Sequence, residues 1–370
     1  MNDIKNILVY RIGSLGDNLV AVPAIRAAKK YFPQARFSLL SDYQVGLNRV
    51  QGRDIFLGSG IFDDFLSYPF DPSRWGKWFL PFRLLRLALA LRRKKFDALI
   101  YLPPMGRPPS LVRRDRRFFR LAGIGEIYGA DLFAQFPVKV PGTPLPPISH
   151  ESDFMLARLK ASGIAVPPEG QGDMDLNLGE KEQEELQELL DRLPPDGGRP
   201  WIGVGPGSKQ PAKLWPVERF QEVVGRLIRE KGVWPVVFGG PEDQEIGKKL
   251  LAAWGCGYNF AGLLGVRPVA SAFERCRLYL GNDTGTMHLA AAAKTPCVAV
   301  FCSHAYPGQW YPYGPGHQVF RTSIDCEACR LVACVERKME CILSIGVDEV
   351  AEACAKTLDR PWNGVEKNHE

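Results

Sequence analysis

The chain has 370 residues, 45% of them apolar or aromatic, and a formal net charge of +6. That length predicts two domains with sizeable cores and excludes general disorder. No apolar run reaches about 18 residues, which excludes a membrane-crossing helix. The N-terminus MNDIKNILVYR lacks the basic-then-apolar layout of a secretory leader, so a cytoplasmic location is expected.

In chain order, KNILVYR is a short apolar run of the kind buried parallel strands show. It leads into RIGSLGDNLVAVPA, where Gly13, Ser14 and Gly16 separate strand from helix and Asp17 lies in the helix's first turn. The glycines are spaced G-x-x-G, not the G-x-G-x-x-G of dinucleotide folds. They let a ligand or a facing loop approach the backbone. Asp17 is either a general base for a hydroxyl nucleophile or a helix cap. NLVAVPAIRAAKKYF is a helix that is kinked at Pro23 or begins later. ARFSLL and DALIYL are the next strands.

The first half is basic. Residues 1–150 carry 23 Lys and Arg against 11 Asp and Glu, net +12, whereas residues 151–370 carry 24 against 30. One half therefore suits an anion or an anionic surface. WGKWFLPFRLLRLALALRRKKFD (75–97) predicts a helix from about Pro81, with Arg83, Arg86, Arg93 and Lys94 at roughly helical spacing. Trp75, Trp78, Phe79 and Phe82 accompany it. This is the composition of an interfacial helix on anionic lipid, or of a core-packed helix with a basic edge. SLVRRDRRFFRLAG (110–123) adds five arginines, Arg113, Arg114, Arg117 and Arg120 among them, whose guanidinium groups suit phosphates and carboxylates. No nucleic-acid-binding motif accompanies the charge, so nucleic acid is not expected as a partner.

PVKVPGTPLPPIS (137–149) interrupts the alternation, two helical stretches follow, and PPDGGRP (194–200) punctuates again. Strand and helix patterns then resume from WIGVG to PCVAVFC. The expected fold class is α/β, with two doubly wound parallel sheets facing across a cleft. Expected boundaries are residues 1–165, an interdomain helix and linker over 166–200, a second domain over 201–345, and a C-terminal helix and tail over 346–370. Ligands of such folds bind at the carboxyl ends of the strands.

Three turns of the second half fit that rule. In YLGNDTGTMHLAAAA, Asp283 or Thr284 caps a helix whose amides at Gly285, Thr286 and Met287 make an anion site, with His288 as a further donor. The plainer reading is a cap without a ligand. In VGPGSKQPAKLWPVERF, Ser208, Lys209 and Lys213 lie on a loop where a lysine can neutralise a departing diphosphate. Here the plainer reading is a solvated lysine. In FGGPEDQE, Glu242 or Asp243 is placed to accept hydrogen bonds from a ribose, or to cap a helix. DMD at 173–175 lies in a polar stretch rather than after an apolar strand, so it is set aside as a metal motif.

RIGSLGDNLVAVPAIRAAKKYFP, GPGSKQPAKLWPVERF, VVFGGPED and LYLGNDTGTMHLAAA together resemble glycosyltransferase family 9, the lipopolysaccharide core heptosyltransferases. The resemblance runs in order from about residue 5 to about residue 355. It implies a GT-B fold and transfer of heptose, with inversion and no catalytic metal, from ADP-L-glycero-β-D-manno-heptose to the inner core. It implies Asp17 as catalytic base, with Gly13, Ser14, Gly16 and the arginines 113, 114, 117 and 120 on the acceptor side. Lys213 then contacts donor phosphate and sugar and has a catalytic role, Ser208 stands by the phosphates, Asp283 holds the sugar hydroxyls, Thr284, Gly285 and Thr286 form the diphosphate-binding turn with His288 its neighbour, and Glu242 attends the ribose. The implied partners are a nucleotide-sugar donor, a phosphorylated glycolipid acceptor and the cytoplasmic face of the inner membrane, with the chain a monomer. Pro211 and Ala212 depart from the polar residues of relatives, which bears on donor-sugar preference. Alternatives are a heptosyltransferase that modifies a surface protein such as an autotransporter, or a non-catalytic sugar-nucleotide-binding protein.

Four of the nine cysteines, Cys326, Cys329, Cys334 and Cys341, have the spacing C-x2-C-x4-C-x6-C. They are free thiols, or ligands of a structural zinc or iron.

Overall fold

The computed structural model describes residues 4–44, 50–70 and 74–361. They form two compact units: Met1–Gln135 with Glu151–Asn177, and Phe136–His150 with Leu178–Glu370. The proline-rich stretch thus belongs to the second unit, and the segment read as an interdomain linker divides at Asn177.

In the first unit, β1 (Asn6–Tyr10), β2 (Arg36–Gln44), β3 (Asp64–Phe70), β4 (Ala98–Tyr101) and β5 (Glu126–Tyr128) make one parallel sheet in the order β3-β2-β1-β4-β5. Val9 lies opposite Leu39 on one side and Ile100 on the other, all three buried. Helices cover both faces of such a sheet, so its central strands are apolar throughout. After β1 the chain forms the short helix Leu15–Leu19 and begins again as Val22–Tyr31. Pro23 falls in the first turn of the second helix, where its missing amide has no carbonyl to reach, so it marks a later start and not a kink.

The basic helix spans Arg74–Lys94 and begins before Pro81, which lies inside it. A proline there removes one ladder bond. The helix runs through it because Leu87 and Leu91 are anchored in a core of Leu8, Tyr10, Leu99, Tyr101, Val112 and Phe119. The side chain of Trp75 lies outside what is described. The DMD carboxylates have a structural use: Asp173 and Asp175 pair with Arg26, which also donates to Asn177 Oδ1 at 2.9 Å.

In the second unit, β6 (Trp201–Gly205), β7 (Trp234–Val237), β8 (Tyr258–Asn259), β9 (Cys276–Asn282), β10 (Cys297–Phe301) and β11 (Gln318–Arg321) make a parallel sheet in the order β11-β10-β9-β6-β7-β8. The helix Val217–Lys231 follows β6 and ends at Gly232, whose φ of +63° suits glycine at a left-handed cap. Trp215 is fully buried in the core between that helix and Val347–Leu358.

Strand order locates the functional ends. In the first sheet the chain winds outward from β1 to β3, then returns to β4 beside β1. In the second it winds from β6 to β8, then returns to β9 beside β6. At each reversal the loops leaving adjacent strands diverge and open a crevice at the carboxyl edge. Those loops are 11–14 in the first unit, and 206–216 and 283–284 in the second.

Candidate active site

The loop after β1 is held from beneath by Arg11, which is fully buried. Its Nε donates to the Asp17 carbonyl at 2.7 Å, its Nη1 to the Leu102 carbonyl at 2.9 Å, and its Nη2 lies 3.8 Å from Asp17 Oδ1. Burial pulls the Arg11 guanidinium below its ordinary range, and the neighbouring Asp17 carboxylate works against that shift. Gly13 has φ +143°, and a Cβ there would strike the Asp17 side chain. Its amide donates to Asp42 Oδ1 at 3.0 Å. Gly16 lies within the short helix, and its carbonyl accepts from the Val20 amide at 3.0 Å.

Asp17 itself accepts from the Ser14 amide at 2.8 Å and the Ser14 hydroxyl at 2.6 Å, both through Oδ2. It is the third residue of its helix, so this is a capping box. Its side chain keeps 29% of its exposure, with Oδ1 toward Arg11. The N-cap is thus Ser14 and not Asp17, which supports it from the third helical position, and that bonding fixes the direction of the carboxylate.

In the second unit, Lys213 ends the turn Pro211–Lys213 and places Nζ 2.7 Å from Asp283 Oδ2. Both side chains are largely buried. Asn282, fully buried at the end of β9, accepts from the Trp215 amide at 3.1 Å and donates to the Pro206 carbonyl at 2.8 Å. Those two bonds lock the β6 and β9 loops together. His304, two residues beyond β10's neighbour Cys302, has Nε2 3.9 Å from Asp283 Oδ2. Burial first, then the nearby Lys213 ammonium, lowers its pKa, and the Asp283 carboxylate works against that shift.

Thr284 is the N-cap of the helix Gly285–Ala292 but makes no capping bond with its side chain. Its hydroxyl instead meets Thr286 Oγ1 at 2.9 Å, and Thr286 Oγ1 meets Tyr279 Oη at 2.8 Å. The amides of Gly285 and Thr286 are left without a carbonyl partner among the described residues. Two amides at a helix N-terminus, flanked by two hydroxyls, make a seat for an anion, and the Lys213–Asp283 pair stands at the residue before it.

Several expected contributors stand elsewhere. The Met287 amide bonds to the Thr284 carbonyl at 3.1 Å, and its side chain is fully buried, so Met287 adds no donor to the seat. His288 is buried with its ring edge-on to Trp310, so it packs the helix instead of lining the turn. The Ser208 hydroxyl accepts from the Gln210 amide at 3.1 Å, an internal loop bond. Glu242 Oε1 lies 3.5 Å from Lys209 on the exposed rim. Asp243 accepts from the Gly240 amide at 2.9 Å, crowded by Gly207 and Gly239, and burial raises its carboxyl pKa. Asn282, Tyr279 and His304 were not foreseen. The signal for Asn282 and His304 was position, at or just past the carboxyl end of a strand that the apolar runs had located, whereas Tyr279 lies in the middle of its strand.

Arg113, Arg114, Arg117 and Arg120 are exposed on the helix Pro109–Leu121. The first three line an open depression with Ser110, Phe118 and Leu121. Arg114 also bonds the buried Asp115 at 2.9 Å, which Tyr101 Oη meets at 2.7 Å and Arg107 pairs from the other side.

All nine cysteines are free thiols. Cys326, Cys329, Cys334 and Cys341 line a small cavity together with Cys302. Burial first, then the neighbouring Cys329, raises the Cys326 pKa, and burial pushes Cys302 up to about 12. Among the described residues no three His, Cys, Asp or Glu side chains are gathered closely enough to hold a metal ion.

A sequence profile described as glycosyltransferase family 9 (heptosyltransferase) matches residues 84–340. Lipopolysaccharide heptosyltransferase 2 of Salmonella typhimurium is 37% identical over 28% of this chain, a stretch spanning only 31% of that relative's length. Lipopolysaccharide heptosyltransferase 1 of Escherichia coli is 25% identical over 85% of this chain and 91% of the relative. The solved structure of the E. coli ADP-heptose lps heptosyltransferase II superposes with a TM-score of 0.66 over 95% of this chain and 98% of its own, at 20% identity. The iron-containing dodecameric glycosyltransferase TibC of enterotoxigenic E. coli superposes with a TM-score of 0.52 over 96% of this chain and 77% of its own, at 15% identity. These superpositions give the fold, the two-sheet GT-B architecture.

Proposed function

The chain belongs to glycosyltransferase family 9, and from that premise we propose that it transfers heptose from ADP-L-glycero-β-D-manno-heptose to a hydroxyl of the lipopolysaccharide inner core. The second unit holds the donor. Its diphosphate lies against the Gly285 and Thr286 amides and the Thr284 and Thr286 hydroxyls, and Lys213 neutralises charge as ADP departs. Asp283, aligned by Lys213, accepts from the sugar hydroxyls. On the first unit, Asp17 takes the proton of the attacking acceptor hydroxyl, and the anomeric centre inverts in a single displacement. The exposed arginines of Pro109–Leu121 meet the acceptor's phosphates and carboxylates. The enzyme works at the cytoplasmic face of the membrane that carries this acceptor.

One observation carries the reading above the others: the buried Lys213–Asp283 pair beside an uncapped helix start, at the reversal point of a parallel sheet. Mere anion binding needs the helix start alone. A carboxylate seated beside a lysine adds acceptors for sugar hydroxyls, which suits a sugar diphosphate better than a simple phosphate. The test is release of ADP on mixing the full chain with ADP-heptose and a lipid A–Kdo acceptor, with ADP-heptose alone as control. Acceptor-dependent ADP release is expected. Tight ADP binding with no acceptor-dependent release would leave a sugar-nucleotide-binding protein in place of the transferase.

A further inference from the structure

The helix Arg74–Lys94 carries two apolar faces where one is enough to hold it. Leu87 and Leu91 are buried in the first unit's core. On the opposite side Trp78, Phe82, Leu85 and Leu89 are 48–78% exposed. Their spacing of four, three and four residues draws them into one stripe. Phe79 is exposed on its flank. A contiguous exposed stripe of this size on a soluble unit marks a surface that something covers. The charge around it says what. Arg86, Arg92 and Arg93 are exposed along the same face, whereas Lys94 is held by Asp64 at 2.6 Å. The helix Pro109–Leu121, which shares the core through Val112 and Phe119, adds exposed Leu121 and four exposed arginines.

We propose that the Trp78–Phe82–Leu85–Leu89 stripe docks the protein onto a bilayer surface rich in anionic lipid, its leucines and aromatic rings in the headgroup–acyl boundary and its arginines among the lipid phosphates. The proposal deepens the glycolipid reading, on which it rests only for its purpose, and uses none of the residues assigned to donor or base. Apolar side chains supply the depth of insertion and arginines the attraction to negative headgroups, each insufficient alone. A second copy of the chain is a poorer occupant, because two such stripes face to face would bring Arg86, Arg92 and Arg93 against themselves.

The experiment is co-sedimentation of the full chain with vesicles of phosphatidylglycerol and phosphatidylethanolamine, against vesicles of phosphatidylcholine alone. Wild type is expected to pellet with the first and stay in solution with the second. Phe82→Asp/Leu85→Asp should weaken vesicle binding about tenfold or more, since two apolar side chains are lost from the buried face. Arg86→Glu/Arg92→Glu/Arg93→Glu should do the same and remove the salt dependence. Both variants change exposed positions, so melting temperature and ADP affinity should stay at wild-type values. Turnover on a lipid-free acceptor should likewise hold, while turnover on acceptor embedded in vesicles falls. Wild-type vesicle binding by the Asp variant overturns the proposal. So does a wild type that ignores both vesicles yet self-associates through the stripe. A chain that binds anionic vesicles but never releases ADP refutes the transferase reading and supports this one.

Discussion

The turn after β1 and the turn after β9 look alike in sequence, each a strand, a glycine-bearing loop, a carboxylate and a helix. In space they differ by where the carboxylate falls relative to the helix start. Asp17 is the third residue of its helix, so it folds back onto the Ser14 amide and hydroxyl and closes the N-terminus upon itself. Asp283 precedes the N-cap, cannot fold back, and is met by Lys213 from another loop. The first turn is capped and presents a carboxylate. The second is uncapped and presents amides and a cation. The proposed base requires the former and the proposed diphosphate site the latter, so on this reading a shift of a few residues sets one local motif to opposite charges.

The widest effect expected from breaking this contrast is at Asp17. Asp17→Asn keeps an oxygen for the Ser14 amide, so the helix start is preserved, but it removes the charge facing buried Arg11, so stability should fall by about 1–3 kcal/mol. Turnover should fall by roughly 10²–10⁴ because the proton acceptor is gone. Titration calorimetry with ADP should give the wild-type affinity. If turnover survives, Asp17 is a cap alone, and the two turns differ in structure without differing in chemistry.

Lys213 tests the other side. Lys213→Ala strands the Asp283 carboxylate in a nearly dry site, which costs about 3–5 kcal/mol when a buried pair is broken. Denaturant unfolding should report that loss, and ADP affinity should fall with it. Adding Asp283→Asn removes the stranded charge, so stability should recover most of the way while ADP binding stays weak. Recovery of both would mean that the lysine serves the carboxylate and not the ligand. No loss of either in the single variant would place the pair among ordinary surface contacts.

The division between what residues announce and what only folding reveals runs through the same turns. The central strands were legible because they are buried on both faces, so NILVY, WIGVG and CVAVF are unbroken apolar runs. The edge strands Asp64–Phe70, Glu126–Tyr128 and Gln318–Arg321 were not foreseen. The last two are half-buried and too short for a period to register. The placement of Asp17, Lys213, Asp283, Thr284 and Thr286 on turns beyond strand ends was legible because a strand's carboxyl end is where candidate ligand-bearing loops begin. Their partners were not, since Lys213 meets Asp283 only because β6 lies beside β9. Asn282 belongs to the same class: its side chain bridges two loops far away in sequence. Met287 was misplaced because its amide already bonds the Thr284 carbonyl, and His288 for a simpler reason. A helix turns each side chain by about 100° from the last, and the fourth position of this one is buried.

The smallest of the expected effects falls on the hydroxyl chain that replaces a conventional cap. Thr286→Val keeps the shape of the side chain and removes the oxygen that meets Tyr279 Oη and Thr284 Oγ1. Net loss of one such hydrogen-bonding group is worth about 1 kcal/mol, so ADP affinity should weaken by roughly five- to tenfold. Tyr279→Phe removes the outer link only and should weaken it less, because Thr284 and Thr286 still face each other. The order of the two effects is the informative part. If Tyr279→Phe is the more damaging, the tyrosine holds the turn's shape and the ligand rests on the amides alone. If Thr286→Val is the more damaging, the threonine hydroxyls reach the anion themselves, and Thr284 fails to cap its own helix because its oxygen is held in reserve for the ligand.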